Sequence, residues 1–292
     1  MPQDRLHPRA TSHRTRPVAR MVRTRLFSVA APLVFFLSNT LYSQQADFER
    51  EDIRVHKIKR VTMVISYYSP GETQSFTDSK FTSDYDNRGN LVKRIGYDSK
   101  GSPALQWAYT YDSKNRVVAS DWGRGNQTVS WTYDNAGHAK ASKVFDKGDL
   151  QGSHTFVLNP QGKVVEDNFY DANGGLSEIH KFKYDSTGNM VEYSEIKPDG
   201  SLISKKAHTF NSTGDATQTV VYGSDGRVAS KTIYKYGEGR HLMEETEYSA
   251  DGSLKSRHTK KRDAGGFVTE DVESNGSGQT VTVTKSEYEF YP

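Results

Sequence analysis

Two histidines pose the first chemical question. His154 and His180 each stand four residues before a bulky side chain, Leu158 and Tyr184, and imidazole nitrogens are common zinc ligands. Their spacing assigns them to strands two apart in a meander, with backbones ~9–10 Å from each other. Zinc would also need a third ligand at matched height, so imidazoles that fill or flank a sheet face are the simpler reading. Aspartates crowd the turns, as at Asp84, Asp86 and Asp171 with Asn173 and Gly174. None of these loops has the alternating acids and distal bidentate Glu of an EF-hand, and turn capping explains them. No Gly-x-Ser-x-Gly elbow supports a serine hydrolase, and zero cysteine excludes a thiol nucleophile, a cysteine zinc site and a disulfide framework. The chain is therefore read as non-enzymatic, with no catalytic residue, metal or cofactor assigned.

The feature most suited to binding is aromatic. Trp107, Tyr109, Tyr111, Trp122, Trp131 and Tyr133 fall close together and include all three tryptophans of the protein. On neighbouring strands they would make either a flat platform for a sugar ring or a ladder of cross-strand pairs that holds the sheet, each pair contributing ~0.2–1 kcal/mol.

Strands must position these groups. Leu105, Trp107, Tyr109 and Tyr111 alternate with Gln106, Ala108 and Thr110, and His180, Phe182 and Tyr184 alternate with Lys181 and Lys183; a period of two places each set on one face. Turn glycines recur at Gly162, Gly174, Gly188, Gly200, Gly214 and Gly226, steps of 12 and 14 that define a 26-residue, two-strand unit. Gly89, Gly101, Gly137 and Gly148 extend the series upstream, and Gly239, Gly252, Gly265 and Gly276 extend it downstream, while Asn115 takes a glycine position. A bulky residue lies four before most of these glycines, and an aliphatic one two after several.

Two turn kinds alternate. Asn-Gly and Asp-Gly pairs at 174, 200, 226 and 252 suit two successive positive φ angles. At 162, 188 and 214 an Asx residue stands three before the glycine, where it can cap its own turn. Each kind should line one edge. The expected fold is all-β: an antiparallel hairpin-repeat meander with strands of about 7–9 residues, twisted or spirally curled. Segments 61–67 and 281–288 are its expected edges.

The 292 residues carry a formal charge of +3, which sums two unlike parts. Residues 1–43 hold seven arginines and one acid, Asp4. Removing these leaves 32 basic against 35 acidic residues, a net −3, from totals of 39 and 36. Within the leader, Leu26–Leu37 is uncharged and mostly apolar, preceded by Arg23 and Arg25 and followed by small and polar residues near Ser43. That is the layout of a secretory signal peptide, shorter than the roughly 20 residues a membrane span needs. Met21 stands where such a peptide ordinarily begins, so residues 1–20 are either an upstream-start artefact or a long n-region. Domain expectations follow: leader 1–43, polar linker 44–60, single β-repeat domain 61–292. Cleavage near Ser43 would leave a chain with no membrane span, exported to the periplasm, cell surface or medium. Its acidic balance argues against nucleic acid.

The copies Tyr85-Asp86-Asn87-Arg88-Gly89-Asn90-Leu91, Tyr97-Asp98-Ser99-Lys100-Gly101, Tyr133-Asp134-Asn135-Ala136-Gly137 and Tyr184-Asp185-Ser186-Thr187-Gly188-Asn189 resemble the Tyr-Asp repeats of the RHS/YD-repeat family, over about residues 80–260. The resemblance implies an extended or spirally wound sheet, export, and a role in carbohydrate binding, adhesion or toxin encapsulation. This chain lacks the family's Asp-Pro-x-Gly core-closing motif, which puts a toxin-carrying shell in doubt. The Asp-Gly-Ser-Leu copies at 199–202 and 251–254 are similar to MORN-type repeats, another array of short hairpins. The functional expectation is a non-catalytic binding module of the cell envelope, with polysaccharide or another envelope or secreted protein as its partner. A structural surface spacer and an immunity-type partner of a secreted toxin are the alternatives.

Overall fold

A computed structural model describes residues 53–123 and 127–292; the leader, its cleavage zone and most of the expected linker lie outside the described residues. After a helical turn at 53–55, eighteen strands follow. They are β1 (Ile58–Tyr68), β2 (Ser75–Tyr85), β3 (Leu91–Tyr97), β4 (Pro103–Tyr111), β5 (Val117–Gly123), β6 (Gln127–Tyr133), β7 (Ala139–Asp146), β8 (Asp149–Leu158), β9 (Val164–Asp171), β10 (Leu176–Tyr184), β11 (Met190–Ile196), β12 (Leu202–Phe210), β13 (Ala216–Tyr222), β14 (Val228–Tyr236), β15 (Leu242–Ser249), β16 (Leu254–Arg262), β17 (Val268–Asn275) and β18 (Thr280–Phe290). The first begins at Ile58, inside the stretch expected as linker.

Every strand pairs antiparallel with the next, and β1 pairs with β18 from Ile58↔Phe290 to Tyr67↔Thr282. The meander therefore closes into a barrel, and the two segments expected as free edges satisfy each other's backbone groups. At roughly 4.8 Å per strand the ring measures roughly 85 Å around, perpendicular to the strands. Barrels of this strand number enclose a lumen, not a packed core. Accordingly the buried apolar side chains are few: Ile58, Val61, Val129, Val144, Phe182, Met190 and Tyr193.

The register divides the wall into two faces. One carries Ser83, Ser120, Val129, Ser142, His154, Asp167, His180, Phe182, Tyr193, His208 and Thr219, nearly all the buried strand residues. On it side chains from strands two apart converge over the strand between, as Trp131 and Phe156 do at 6.0 Å and 9°, which makes it the concave face. The opposite face carries lysine and glutamate in cross-strand ion pairs such as Lys183–Glu192, Lys235–Glu244 and Lys261–Glu270. A lipid-spanning barrel needs an outward apolar band there. Among the described residues no helix is long and apolar enough to cross a membrane.

The turns correct the sequence expectation in one respect. Asn173, Asp199, Asp225 and Asp251 do not adopt positive φ; only the glycine after each does. Most turns on both edges are of one kind, in which the glycine N–H donates to the carbonyl three residues back and the chain resumes with a bulge, as at Gly174→Asp171 (3.1 Å) and Gly188→Asp185 (3.1 Å); β7–β8 instead turns through Lys147 and Gly148, both at positive φ. What varies is the cap, and the third-position kind stands on one rim only. Asn159 Oδ1 accepts the N–H groups of Gln161 and Lys163 from the first turn position, and Asp98, Asp171 and Asn275 do the same on the other rim, where Asp199 and Asp251 instead cap from the third position, onto Ser201 and Ser253. Near the C-terminus the left-handed residues are Gly266 and Gly278, not Gly265 and Gly276; each follows its capping Asx, Asp263 or Asn275, by three.

The two rims also differ in the face they present. On the rim holding Gly89, Gly162, Gly188 and Gly214 the register turns the aromatic–aliphatic couples, such as Tyr184/Met190, inward. There Tyr111, Tyr133, Tyr184, Tyr236 and Tyr288 donate their hydroxyls to the carbonyls of Leu91, Val117, Val164, Ala216 and Val268, one hairpin back. Arg262 stands in the tyrosine position of its repeat and reaches the equivalent carbonyl of Leu242, and Tyr291 closes the ring onto Tyr85. On the other rim the couples Tyr170/Leu176 and Tyr222/Val228 point outward. Met190 is 3% exposed, but Leu176 is 37% and Val228 42%. Tyr184→Phe, which deletes one such hydrogen bond and no packing, is expected to lower stability by about 0.5–1.5 kcal/mol in urea unfolding; an unchanged midpoint would show that the rim bond is idle.

Candidate functional site

All six aromatic residues singled out in the sequence lie on the concave face, on the adjacent strands β4, β5 and β6. They divide by what else they touch. Tyr111 and Tyr133 are rim donors, with the Arg116 guanidinium also 4.3 Å from the Tyr133 ring centroid. Trp131 stacks on Phe156 beside the buried Val129–Val144 pair. These three serve the wall. Trp107 and Trp122 are direct cross-strand partners and are both partly exposed, with Cβ atoms ~4.5–5.5 Å apart. Trp122 Nε1 donates to Ser120 Oγ at 2.9 Å, and Ser120 is in turn the partner of Tyr109. In register the row runs Ser83, Arg94, Trp107, Trp122, Gln127. It offers two aromatic surfaces flanked by hydrogen-bonding groups, the composition of a site that takes a ligand with an apolar face and a polar edge.

The two histidines prove to be joined. His154 lies on β8 and His180 on β10, and the strand between carries Asp167, which is fully buried. His154 Nδ1 meets Asp167 Oδ1 and Oδ2 at 2.9 and 3.1 Å, His180 Nδ1 lies 3.4 Å from Asp167 Oδ2, and His180 Nε2 meets Glu178 Oε1 at 2.7 Å. Burial pushes the His180 pKa down, but hydrogen bonds to Asp167 and Glu178, reinforced by their charges, raise it to about 9. Asp167 is held below the ordinary carboxylate range, its own burial outweighed by the two imidazoles. Room for this cluster comes from Gly152 on β8. A Cβ there would sit 2.6 Å from both the Phe169 ring and the Tyr170 carbonyl, so the ring lies directly over the backbone.

A second chain follows on β11 and β12, where Tyr193 and Ser204 donate to the two oxygens of Glu195 at 2.8 Å each. His208 pairs with Thr219 at 2.9 Å, and burial, helped by the Lys206 charge, lowers its pKa to about 4. A third joins Lys260 to Asp271 and Glu245 and His258 to Asp271. Neither Asp167 nor Glu178 was singled out by sequence reasoning. The available signal was the register: hairpin pairing sets Asp167 directly opposite His180. Among the described residues no group of three or more histidines and acids is placed to hold a metal ion.

No protein-family model matches the chain, and no curated protein matches it in sequence. Among solved structures, a porin-like protein from Bacteroides uniformis is 13% identical with a TM-score of 0.46, over 80% of this chain and 97% of that one. The Photorhabdus luminescens Tc holotoxin pore is 13% identical with a TM-score of 0.38, over 72% of this chain. A TcdB2-TccC3-TEV structure is 15% identical with a TM-score of 0.37, over 75% of this chain. This chain spans 12% of the length of each of those two toxin chains.

Proposed function

We propose that the protein is an exported, non-catalytic binding barrel of the cell envelope whose concave wall at β4–β6 takes carbohydrate. The observation that carries this reading is the in-register pair Trp107–Trp122, partly exposed inside the ring with Tyr109 and Gln127 beside it. Indole faces suit the C–H face of a pyranose, and the flanking amide and hydroxyl suit its ring of alcohols. The buried His154–Asp167–His180–Glu178 cluster supports a non-enzymatic reading, because its charges are spent on one another. Export is supported by the Arg-rich leader with its short apolar core.

Trp131 belongs to the wall's own packing, so the pair to remove is Trp107 and Trp122. Trp107→Ala with Trp122→Ala is expected to abolish retention on a polysaccharide affinity gel while leaving the far-ultraviolet β signal intact. Retention unchanged in the double variant would refute the platform, and loss of the β signal would reduce both residues to sheet packing.

A further inference from the structure

The charge of the aromatic sector narrows the ligand. From β1 to β6 the residues in register on the concave face are Val61, Met63, Ile65 and Tyr67 on β1, then serine, threonine, glycine, aliphatic, aromatic and glutamine side chains, with one formal charge, Arg94. Acids on this face begin beyond it, with Asp146 opposite Gln127 on β7 and then Asp167, Glu178, Glu195, Glu245 and Asp271 on β9 to β17. The other inward cations are occupied: Lys260 pairs with Asp271 and Glu245, and Lys206 lies over the Tyr193 ring.

Arg94 is different. It is half-buried, and its Nε donates to Ser83 Oγ at 3.0 Å. Among the described residues no carboxylate comes within ion-pair distance of it. The Ser83 bond fixes the plane of the guanidinium and leaves its two terminal nitrogens for another acceptor. Arg94 is the direct cross-strand partner of Trp107 and close enough to Tyr109 for its charge to act on that phenol. The planar fork matches a carboxylate or sulfate bidentately.

We infer that the ligand of this wall is an anionic saccharide, whose ring lies on Trp107 and Trp122 and whose carboxylate or sulfate meets Arg94. This inference rests on the carbohydrate reading above and adds the charge. It is tested by titrating the full chain with tetragalacturonate, its fully methyl-esterified neutral counterpart and a sulfated galactose tetrasaccharide, following tryptophan fluorescence. Both anionic sugars, or one of them, are expected to bind roughly 10- to 100-fold more tightly than the neutral ester, the gain of a charge-assisted contact. That preference should shrink as salt rises and vanish in Arg94→Gln, whereas Trp107→Ala should weaken charged and neutral sugars alike. The tighter of the two anions identifies the carboxylate or the sulfate as the acceptor.

Equal binding of ester and acid by the wild-type chain overturns the anionic inference and leaves the carbohydrate reading standing. So does a preference that survives Arg94→Gln. If no saccharide binds at all, the carbohydrate reading itself falls. Should Arg94→Gln not fold, the salt dependence of the wild-type preference decides, with Arg94→Lys retaining part of it.

Discussion

Asp167→Ala is expected to destabilise the barrel by about 3–5 kcal/mol, the range for removing one partner of a buried charged pair. Asp167 is fully buried, accepts from His154 Nδ1 and stands 3.4 Å from His180 Nδ1, so it meets imidazoles from both neighbouring strands. Without it the His180 imidazolium keeps Glu178 alone, and the His154 Nδ1 loses both of its acceptor oxygens. Asp167→Asn distinguishes charge from shape. Asparagine fills the same volume, but its amide nitrogen is a donor and would face a ring N–H, so most of the loss should persist. Urea unfolding with a constant slope reads both variants. A cost below about 1 kcal/mol for Asp167→Ala would mean that the cluster fills space and binds nothing together.

That cluster marks how far the sequence can be read. Alternation and turn glycines carry local information, because side chains alternate along a strand whatever its neighbours are, and a left-handed residue is needed wherever the bulged turn recurs. They locate the strands and put Leu105, Trp107, Tyr109 and Tyr111 on one face. The Asx-to-glycine spacing of three was itself legible and, applied throughout, places the left-handed residues at Gly266 and Gly278. Closure was not legible. Pairing of β1 with β18 joins residues more than 200 positions apart, and nothing in either segment distinguishes a strand awaiting its partner from a charged edge. The Asp167 bridge was hidden for a related reason: His154 and His180 repeat with the 26-residue unit, while the acid lies on the strand between them and recurs only four units on, as Asp271 beside His258. The two rims show the same limit. Tyrosines four before the glycine look alike in sequence, yet register turns Tyr184 inward and Tyr170 and Tyr222 outward, so only the first kind can donate to the neighbouring hairpin.

The histidines of the concave wall also set the pH range of the fold, with opposite signs at its two ends. His180 has a folded pKa of about 9 against an ordinary 6.5, so its contribution is complete below about pH 6.5 and is lost as pH rises through 9. Its magnitude is on the order of 3 kcal/mol, since one unit corresponds to about 1.4 kcal/mol. His208 is the reverse case. Its folded pKa of about 4 means that below about pH 6.5 the unfolded chain gains a proton that the barrel refuses, and stability falls through that window by a similar amount. Asp167 and Asp271, both held below the ordinary carboxylate range by their imidazole and lysine partners after burial is overcome, steepen the acid side further. Stability measured by urea midpoint should therefore peak near pH 6.5 and decline on both sides. The alkaline limb is the diagnostic one, because carboxylates titrate far below it: His180→Gln should lower stability at pH 6 and flatten the curve between pH 7 and 9, while His208→Gln should relieve the loss between pH 6.5 and 4. A wild-type curve that stays level from pH 7 to 9 would show that His180 is neutral in the folded barrel and that the Asp167 bridge is held by hydrogen bonds without an imidazolium.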